Sequence, residues 1–190
     1  LCMKKLKTGG RCAIVQPEGV LFRTSGAYLR VKKELLENYN LHTIISLPQG
    51  VFANVSPKRG VGPKTNLLFF EKGRPTKEIW YYEHKHPLGM VRTRYGRLVE
   101  KTYSKNDPIK DEHLEDVFEK WQRREVSENS WIVKVEDIIK NNYDLSAKNP
   151  NKIKLTTYEP PDKIVEKMLN KEKEIDSLIK EIKEILKNES

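Results

Sequence analysis

Short apolar runs separated by turn residues dominate the first half of the chain. Residues 12–16 (CAIVQ), 42–48 (HTIISLP) and 65–73 (TNLLFFEKG) each predict a buried strand, and 78–84 (EIWYYEH) alternates like a half-exposed fourth strand. Apolar residues recur at helical spacing over 26–38, between the first two runs. This order predicts an α/β fold in which the first two strands are parallel and the third returns antiparallel.

The second half has a different pattern. Residues 87–107 are basic and offer few core candidates, so they predict an exposed hairpin or loop. One apolar stripe over 110–125, which includes Trp121, predicts a helix. Residues 131–150 predict a short strand, a helical turn and a loop, with Trp131 in the core.

A long amphipathic helix is predicted over 162–188. Its apolar positions alternate in steps of four and three, interrupted by Lys171, which is a coiled-coil or bundle pattern. These positions are Ile164, Met168, Ile175, Leu178, Ile182 and Ile185. Such a stripe needs a covering surface, either the helix's own domain or, as we favour, a partner helix.

Charge and cysteine content indicate the kind of partner and the cellular compartment. The 190 residues carry a net charge of +9, which favours a polyanionic partner, although a solubilising surface would give the same balance. Cys2 and Cys12 are the only cysteines; two thiols near one end make neither a disulfide framework nor a metal site, and they suit a reducing cytoplasm. No apolar run approaches the roughly 20 residues that span a bilayer. We therefore expect a cytoplasmic protein without a membrane partner.

No self-contained active site is evident in the sequence. The pair Gly60 and Gly62 is a weak phosphate-binding signal outside a strand-to-helix turn. His84 and His86 lack a nearby third ligand and are expected to be solvated, so no metal is predicted. Asp144 is expected to be a turn or cap residue rather than a catalytic acid.

Several long phrases, in order, carry a family resemblance. They are LKTGGRCAIVQPEGVLF, LRVKKELLENYNLHTIISLPQGVF, KTNLLFFEKG, DPIKDEHLEDVFEKWQRRE, SWIVKVEDI and YDLSAKNPN. Together they resemble the methylation subunit of type I restriction-modification systems, a γ-class N6-adenine DNA methyltransferase. The resemblance covers nearly the whole chain.

The resemblance implies the C-terminal part of a Rossmann-like methyltransferase sheet. Residues 12–16, 43–47 and 65–71 would be its fifth, sixth and seventh strands, with the seventh inserted antiparallel between the other two. The family's Gly-rich loop and acidic residue for S-adenosylmethionine, and its Asn-Pro-Pro-aromatic segment, do not occur in this sequence. The chain also begins in what reads as the end of a helix. We therefore expect a fragment without catalytic residues, which binds no S-adenosylmethionine and is inactive alone.

The loop between the sixth and seventh strands carries the residues that the resemblance marks. Phe52 stands where γ-class enzymes place an aromatic ring that stacks on the flipped adenine, a contact worth about 1–3 kcal/mol. The alternative is that Phe52 is the last core residue before the loop. Lys58, Arg59 and Lys64 are candidate DNA contacts, and Thr65 and Asn66 are candidates for positioning the loop or substrate; an ordinary solvated loop is the alternative for the cations.

The expected organisation has three parts. Residues 1–86 would end the catalytic domain, 87–160 would form a basic hairpin and a small mostly helical subdomain, and 161–190 would be an assembly helix. The resemblance implies DNA, a specificity subunit, a restriction subunit and the upstream half of the same subunit as partners. A non-enzymatic basic module, which binds DNA or a helical partner, is the competing hypothesis.

Overall fold

A mixed sheet of five strands is the framework of the protein in the computed structural model, which describes residues 2–52, 62–151 and 161–188. The strands are β1 (Arg11–Pro17), β2 (Tyr39–Leu47), β3 (Thr65–Lys72), β4 (Glu78–Glu83), β5 (Met90–Arg92), β6 (Leu98–Glu100) and β7 (Ser130–Lys134). The helices are α1 (Cys2–Lys5), α2 (Glu18–Phe22), α3 (Gly26–Asn38), α4 (Glu115–Arg123), α5 (Val135–Lys140) and α6 (Pro161–Asn188), and a 3₁₀ turn (Asp111–Leu114) leads into α4.

The sheet has the strand order β1-β3-β2-β4-β7. Strand β3 lies antiparallel between β1 and β2, which are therefore parallel to each other without being neighbours. Strand β4 pairs in parallel with β2, and β7 pairs antiparallel with β4. The predicted α/β fold, with the third strand inserted antiparallel between the first two, is confirmed. The helical crossover between β1 and β2 makes them parallel, whereas β3 follows β2 in the reverse direction.

Apolar clusters cover both faces of the sheet. Alternate residues of each strand point to opposite faces, so one strand contributes to both clusters. The larger cluster packs α3 and α5 against the sheet through Leu21, Leu35, Leu36, Leu41, Ile44, Leu68, Phe70, Ile79, Tyr81, Trp131, Ile138 and Leu145, together with Tyr39. The smaller one packs α4 against the other face through Ile45, Leu47, Trp80, Tyr82 and Val117.

Strand β4 corrects a prediction. The sequence pattern predicts a half-exposed strand, yet the four residues from Ile79 to Tyr82 are all buried. Ile79 and Tyr81 lie in the larger cluster, Trp80 and Tyr82 lie in the smaller one, and β7 covers the outer edge. The prediction was wrong because the amphipathic aromatic residues of β4 resemble the pattern of a half-exposed strand, although both faces of β4 are covered.

The segment after residue 86 follows the predicted elements. Strands β5 and β6 form a two-stranded hairpin, and the predicted helix over 110–125 appears as the 3₁₀ turn and α4. Strand β7 and α5 match the predicted strand and helical turn, and β7 belongs to the main sheet. Trp131 is buried in the larger cluster, and Trp121 packs against the smaller one, as predicted.

The chain divides into two compact units, Leu1–Lys152 and Ile153–Ser190. The second unit contains the predicted long helix, α6. Four of the predicted stripe positions, Met168, Ile175, Leu178 and Ile182, are more than half exposed. The side chains of Ile164 and Ile185, the other two positions, lie outside the described part of the structure.

Candidate functional site

Three strands bring polar residues together at one edge of the sheet. Gln16 of β1, Asn66 of β3 and Ser46 of β2 are register partners in one row across the sheet, near the carboxyl ends of the parallel β1 and β2. The next row on the same face, Ile14, Leu68 and Ile44, is apolar, so the row becomes polar as it reaches this end of β1 and β2. Carboxyl ends of parallel strands are where open α/β sheets bind ligands.

The chain leaves this edge through residues 48–52, which we call the Phe52 segment. Phe52 is partly buried and packs, with Val51, against the smaller apolar cluster. This contact agrees with the alternative that Phe52 is a core residue, and it also holds the ring at the carboxyl edge of β2. Lys58 and Arg59, two of the predicted DNA contacts, lie outside the described residues.

At Gly50 the Phe52 segment contacts the backbone of Tyr103, a contact that we call the Gly50–Tyr103 brace. The φ of Gly50 is +90°, and a Cβ added there would lie 1.7 Å from the backbone oxygen of Tyr103. The Tyr103 N–H also donates to the Gln49 carbonyl at 3.2 Å. Only glycine allows this backbone approach, because any side chain would overlap the carbonyl and the positive φ is itself strained for other residues.

A buried cluster of aromatic and imidazole rings lies beneath this brace. The Tyr103 hydroxyl is 3.0 Å from His84 Nε2 and 3.1 Å from His113 Nδ1, and His86 stacks at a tilt on the Tyr103 ring. The backbone ties the cluster to the sheet edge, since His84 N–H donates to the Ser46 carbonyl at 2.9 Å. One hydroxyl hydrogen can serve only one of the two nitrogens, so the other ring must donate an N–H to the phenol oxygen if both bonds form.

The cluster corrects the expectation that His84 and His86 are solvated. Both are about 95% buried, and His86 Nε2 lies 3.3 Å from Asp107 Oδ2, which Lys101 also contacts at 2.9 Å. Burial and the neighbouring imidazoles of His113 and His86 lower the pKa of His84 to about 4, while burial raises the pKa of Tyr103 to about 12. His84 and Tyr103 are therefore neutral at neutral pH.

The remaining predicted site residues of this edge have local partners or none. Lys64 pairs with Glu18 at 3.1 Å, and its carbonyl accepts the Glu18 N–H. Thr65 and Asn66 are buried, and neither Thr65 Oγ1 nor Asn66 Nδ2 has a hydrogen-bond partner among the described residues.

The sequence analysis did not predict the role of Tyr103, because Tyr103 lies in a segment poor in core candidates. The one sequence feature that pointed to this cluster was His84, which directly follows a strand.

Other predicted features are structural. Asp144 Oδ1 accepts hydrogen bonds from the Ser146 N–H at 2.8 Å and hydroxyl at 2.6 Å, which is the turn role expected for it. In the described part of the chain, no group of three or more His, Cys, Asp or Glu residues is arranged to hold a metal ion. Among the described helices, none is both long enough and apolar enough to cross a membrane.

Two cavities border the polar row. One of about 170 Å³ lies between the Phe52 segment and the chain after β6, and is lined by Pro48, Gln49, Lys64, His84 and Thr102 among others. An apolar one of about 240 Å³ lies under α3. Both are smaller than typical cofactor sites of roughly 300–1,000 Å³. Neither cavity is lined by a glycine, so neither offers the close backbone approach that a Gly-rich loop gives a nucleoside cofactor.

The sheet, with an antiparallel strand beside its parallel ones and a loop at the carboxyl edge, is of the Rossmann-like methyltransferase class. The family model described as N-6 DNA Methylase matches residues 1–157. The chain therefore belongs to the N-6 DNA methylase family.

Curated relatives and solved structures give the same assignment. The EcoEI type I restriction enzyme methylase subunit of Escherichia coli is 37% identical over 193 residues, covering 98% of this chain and 36% of the relative. A chain from a structure of a type I R-M system is 45% identical, with a TM-score of 0.65 over 99% of this chain and 38% of its own. The modification subunit of a putative type I restriction enzyme from Vibrio vulnificus YJ016 is 35% identical, with a TM-score of 0.65 over 82% of this chain and 32% of its own. The chain thus spans about a third of the length of these relatives.

Proposed function

We propose that this chain is the later part of the methylation subunit of a type I restriction-modification system, which transfers a methyl group from S-adenosylmethionine to adenine N6 in DNA. The observation that carries the proposal is the position of Phe52 at the carboxyl edge of β2, in a chain that belongs to the N-6 DNA methylase family. Other parts of the intact subunit bind the cofactor, because the two cavities beside the polar row are smaller than typical cofactor sites.

Phe52 stacks on the adenine that is flipped out of the duplex. An extruded base loses its neighbours in the helix, and an aromatic ring restores part of that stacking. The packing of Phe52 against the smaller apolar cluster fixes its backbone, and the Gly50–Tyr103 brace limits its movement. Lys58, Arg59 and Lys64 are candidate contacts to phosphates of the distorted site, and Thr65 and Asn66 are candidates for positioning the loop.

Replacement of Phe52 tests this role in the full-length subunit. Phe52→Ala should lower kcat/KM for methyl transfer to unmodified DNA by about 5- to 150-fold, the equivalent of about 1–3 kcal/mol of stacking. Phe52→Trp keeps a π surface and should remain within a few-fold of wild type. Binding of S-adenosylmethionine should be unchanged in both variants.

Phe69→Ala is the matched control. Phe69 packs against the same apolar cluster but lies inside β3, 5.0 Å from the Trp121 ring centroid. It should lower the melting temperature without changing kcat/KM per folded enzyme. Equal losses for Phe52→Ala and Phe69→Ala would show that Phe52 is a core residue. The 190-residue chain alone should give no methyl transfer in the same assay.

We also propose that α6 binds the specificity subunit of the complex. Four of its stripe residues, Met168, Ile175, Leu178 and Ile182, are exposed, and a helix with an uncovered apolar stripe gains stability by packing against another helix. The double substitution Ile175→Lys and Ile182→Lys should abolish co-elution of the two subunits on a sizing column, because two charges would be buried without partners.

A control places the same charges on the opposite side of the same helix. Asn170 and Ser177 have the same seven-residue separation as Ile175 and Ile182, and both lie outside the apolar stripe. Asn170→Lys with Ser177→Lys should leave co-elution intact. Assembly by the Ile175 and Ile182 double variant would rule out this helix face as the contact.

A further inference from the structure

Residues 88–100, which we call the basic hairpin, form a largely exposed segment that the proposed active site does not use. Strands β5 and β6 pair through only three residues each, from Met90 opposite Glu100 to Arg92 opposite Leu98. The hairpin forms its own two-stranded sheet and does not extend the main one. Its exposed side chains therefore do not contribute to the core.

The tip of the basic hairpin has a defined backbone. The Gly96 N–H donates to the Thr93 carbonyl at 2.9 Å, and the Thr93 N–H donates to the Arg97 carbonyl at 2.8 Å. Gly96 has a φ of +77°, which suits glycine and completes a tight hairpin turn. Arg94 and Tyr95 are thus held at the apex, where the Arg94 guanidinium lies 4.5 Å from the Tyr95 ring centroid.

The charge around the tip of the basic hairpin is of one sign. Arg92, Arg94 and Arg97 are exposed, and residues 88–99 contain no acidic residue. None of the three guanidiniums forms an ion pair with a residue that the structure describes. Three arginines on a hairpin of this size are therefore available for an anionic partner.

The base of the basic hairpin lies beside the Phe52 segment. Lys101 N–H donates to the Gly89 carbonyl at 2.8 Å, closing the hairpin, and Tyr103 two residues later braces Gly50. Glu100 lines the same cavity as Pro48 and Gln49. From Gly89 to Arg94 the chain extends at most about 17 Å, at roughly 3.3 Å per residue. That reach equals about five base pairs of duplex.

We propose that the basic hairpin binds the phosphate backbone of duplex DNA, within about five base pairs of the adenine that reaches Phe52. Arginine suits this role because its planar guanidinium binds phosphate oxygens in a bidentate manner. The contact contributes affinity and orientation but not sequence choice, since phosphates carry no sequence information. The inference rests on the proposed DNA methyltransferase function.

Salt dependence of DNA binding tests the contact directly. The full-length subunit in its assembled complex is titrated with a fluorescein-labelled duplex of about 30 base pairs between about 50 and 200 mM KCl. The triple variant Arg92→Gln, Arg94→Gln and Arg97→Gln should reduce the slope of log K against log salt by about 2–3, one phosphate contact for each arginine. The affinity at about 100 mM salt should fall at least about tenfold.

The control variant removes equal charge from the opposite edge of the sheet. The control is the triple variant Lys4→Gln, Lys5→Gln and Arg11→Gln. Lys4 and Lys5 are exposed residues of α1, and Arg11 is the exposed first residue of β1. This variant should keep the wild-type slope to within about 0.5. Equal slopes for the hairpin variant and the wild type would overturn the proposal.

Two further outcomes are informative. The first tells whether the hairpin contacts DNA or another protein, and the second tells whether the hairpin contact or the proposed enzymatic function has failed. Met90 and Leu98 on the two strands of the hairpin are exposed as well. If the triple variant lost subunit assembly but kept the DNA salt slope, the hairpin would be a protein interface and the proposal would be wrong. If the wild-type complex bound DNA with a slope reduced by the triple variant but transferred no methyl group, the proposed enzymatic function would fail while the hairpin contact stood.

Discussion

The Phe52 segment and the basic hairpin lie next to each other, yet they are held in opposite ways. The Phe52 segment packs on an apolar cluster and is fixed by the Tyr103 backbone at Gly50. The basic hairpin is tied to the rest of the chain at its base, where Gly89 bonds His86 and Lys101, and its arginines and Tyr95 are exposed. The Phe52 segment is therefore confined by its neighbours, whereas the tip of the hairpin is held by hydrogen bonds within the hairpin.

The difference matches the two contacts that we propose. Stacking on a single base requires a ring in one place, because a displacement of about 1 Å can cost a large factor in rate. Phosphate binding tolerates movement, since the attraction is long-ranged and a duplex presents many phosphates. The fixed Phe52 segment therefore suits the stacking of one base, and the less confined hairpin suits binding of the flanking phosphate backbone.

A pair of glycine substitutions should show the largest contrast between the two segments. Gly50→Ala would place Cβ 1.7 Å from the Tyr103 oxygen, so the Phe52 segment must move. We expect methyl transfer to fall about 100-fold or more. Gly96→Ala meets no atom within 4 Å and costs only the strain of its positive φ, about 1–2 kcal/mol, so methyl transfer should stay within about threefold of wild type.

Methyl transfer by both glycine variants should be measured at a temperature at which circular dichroism shows that they remain folded. Because Gly50 and Gly96 both have positive φ, the pair separates close backbone approach from backbone strain. Similar activities for the two variants would mean that the Tyr103 contact does not position the Phe52 segment.

Acid should weaken the braced segment and spare the hairpin. Burial holds the pKa of His84 near 4 in the folded protein, below its ordinary value of about 6.5, so the unfolded chain binds the proton more readily. The stabilisation is complete above about pH 6.5 and is lost as the pH falls toward 4. We expect the free energy of unfolding to decrease by about 1 kcal/mol per pH unit in that window.

His84→Gln is the control, because glutamine does not titrate. It should flatten the pH dependence of the denaturant midpoint between about pH 6.5 and 4.5 relative to wild type. The arginines of the basic hairpin stay charged throughout this range, so the DNA salt slope at about pH 7 and about pH 5.5 should be the same. An unchanged pH dependence in His84→Gln would exclude His84 as the sensitive group.

Much of the fold could be predicted from local sequence. The bounds of α3 at Gly26–Asn38 and the existence of β1, β2, β3, β7 and α6 follow from apolar periodicity and from turn residues. The antiparallel place of β3 follows from the family resemblance, and the sheet confirms it. Burial of β4 was not predictable, because it depends on β7, about 50 residues later, and on clusters on both faces.

The site divides in the same way. The sequence by itself determined the strands that end at one edge, the aromatic residue at position 52 and the excess of basic residues over 87–107. Only the tertiary structure decided that His84, His86 and His113 surround Tyr103, and that the Tyr103 backbone meets Gly50. Periodicity reports which face of its own element a residue occupies. Contacts between a strand end and a loop some 50 residues away depend on how the chain returns to the sheet, which no local pattern encodes.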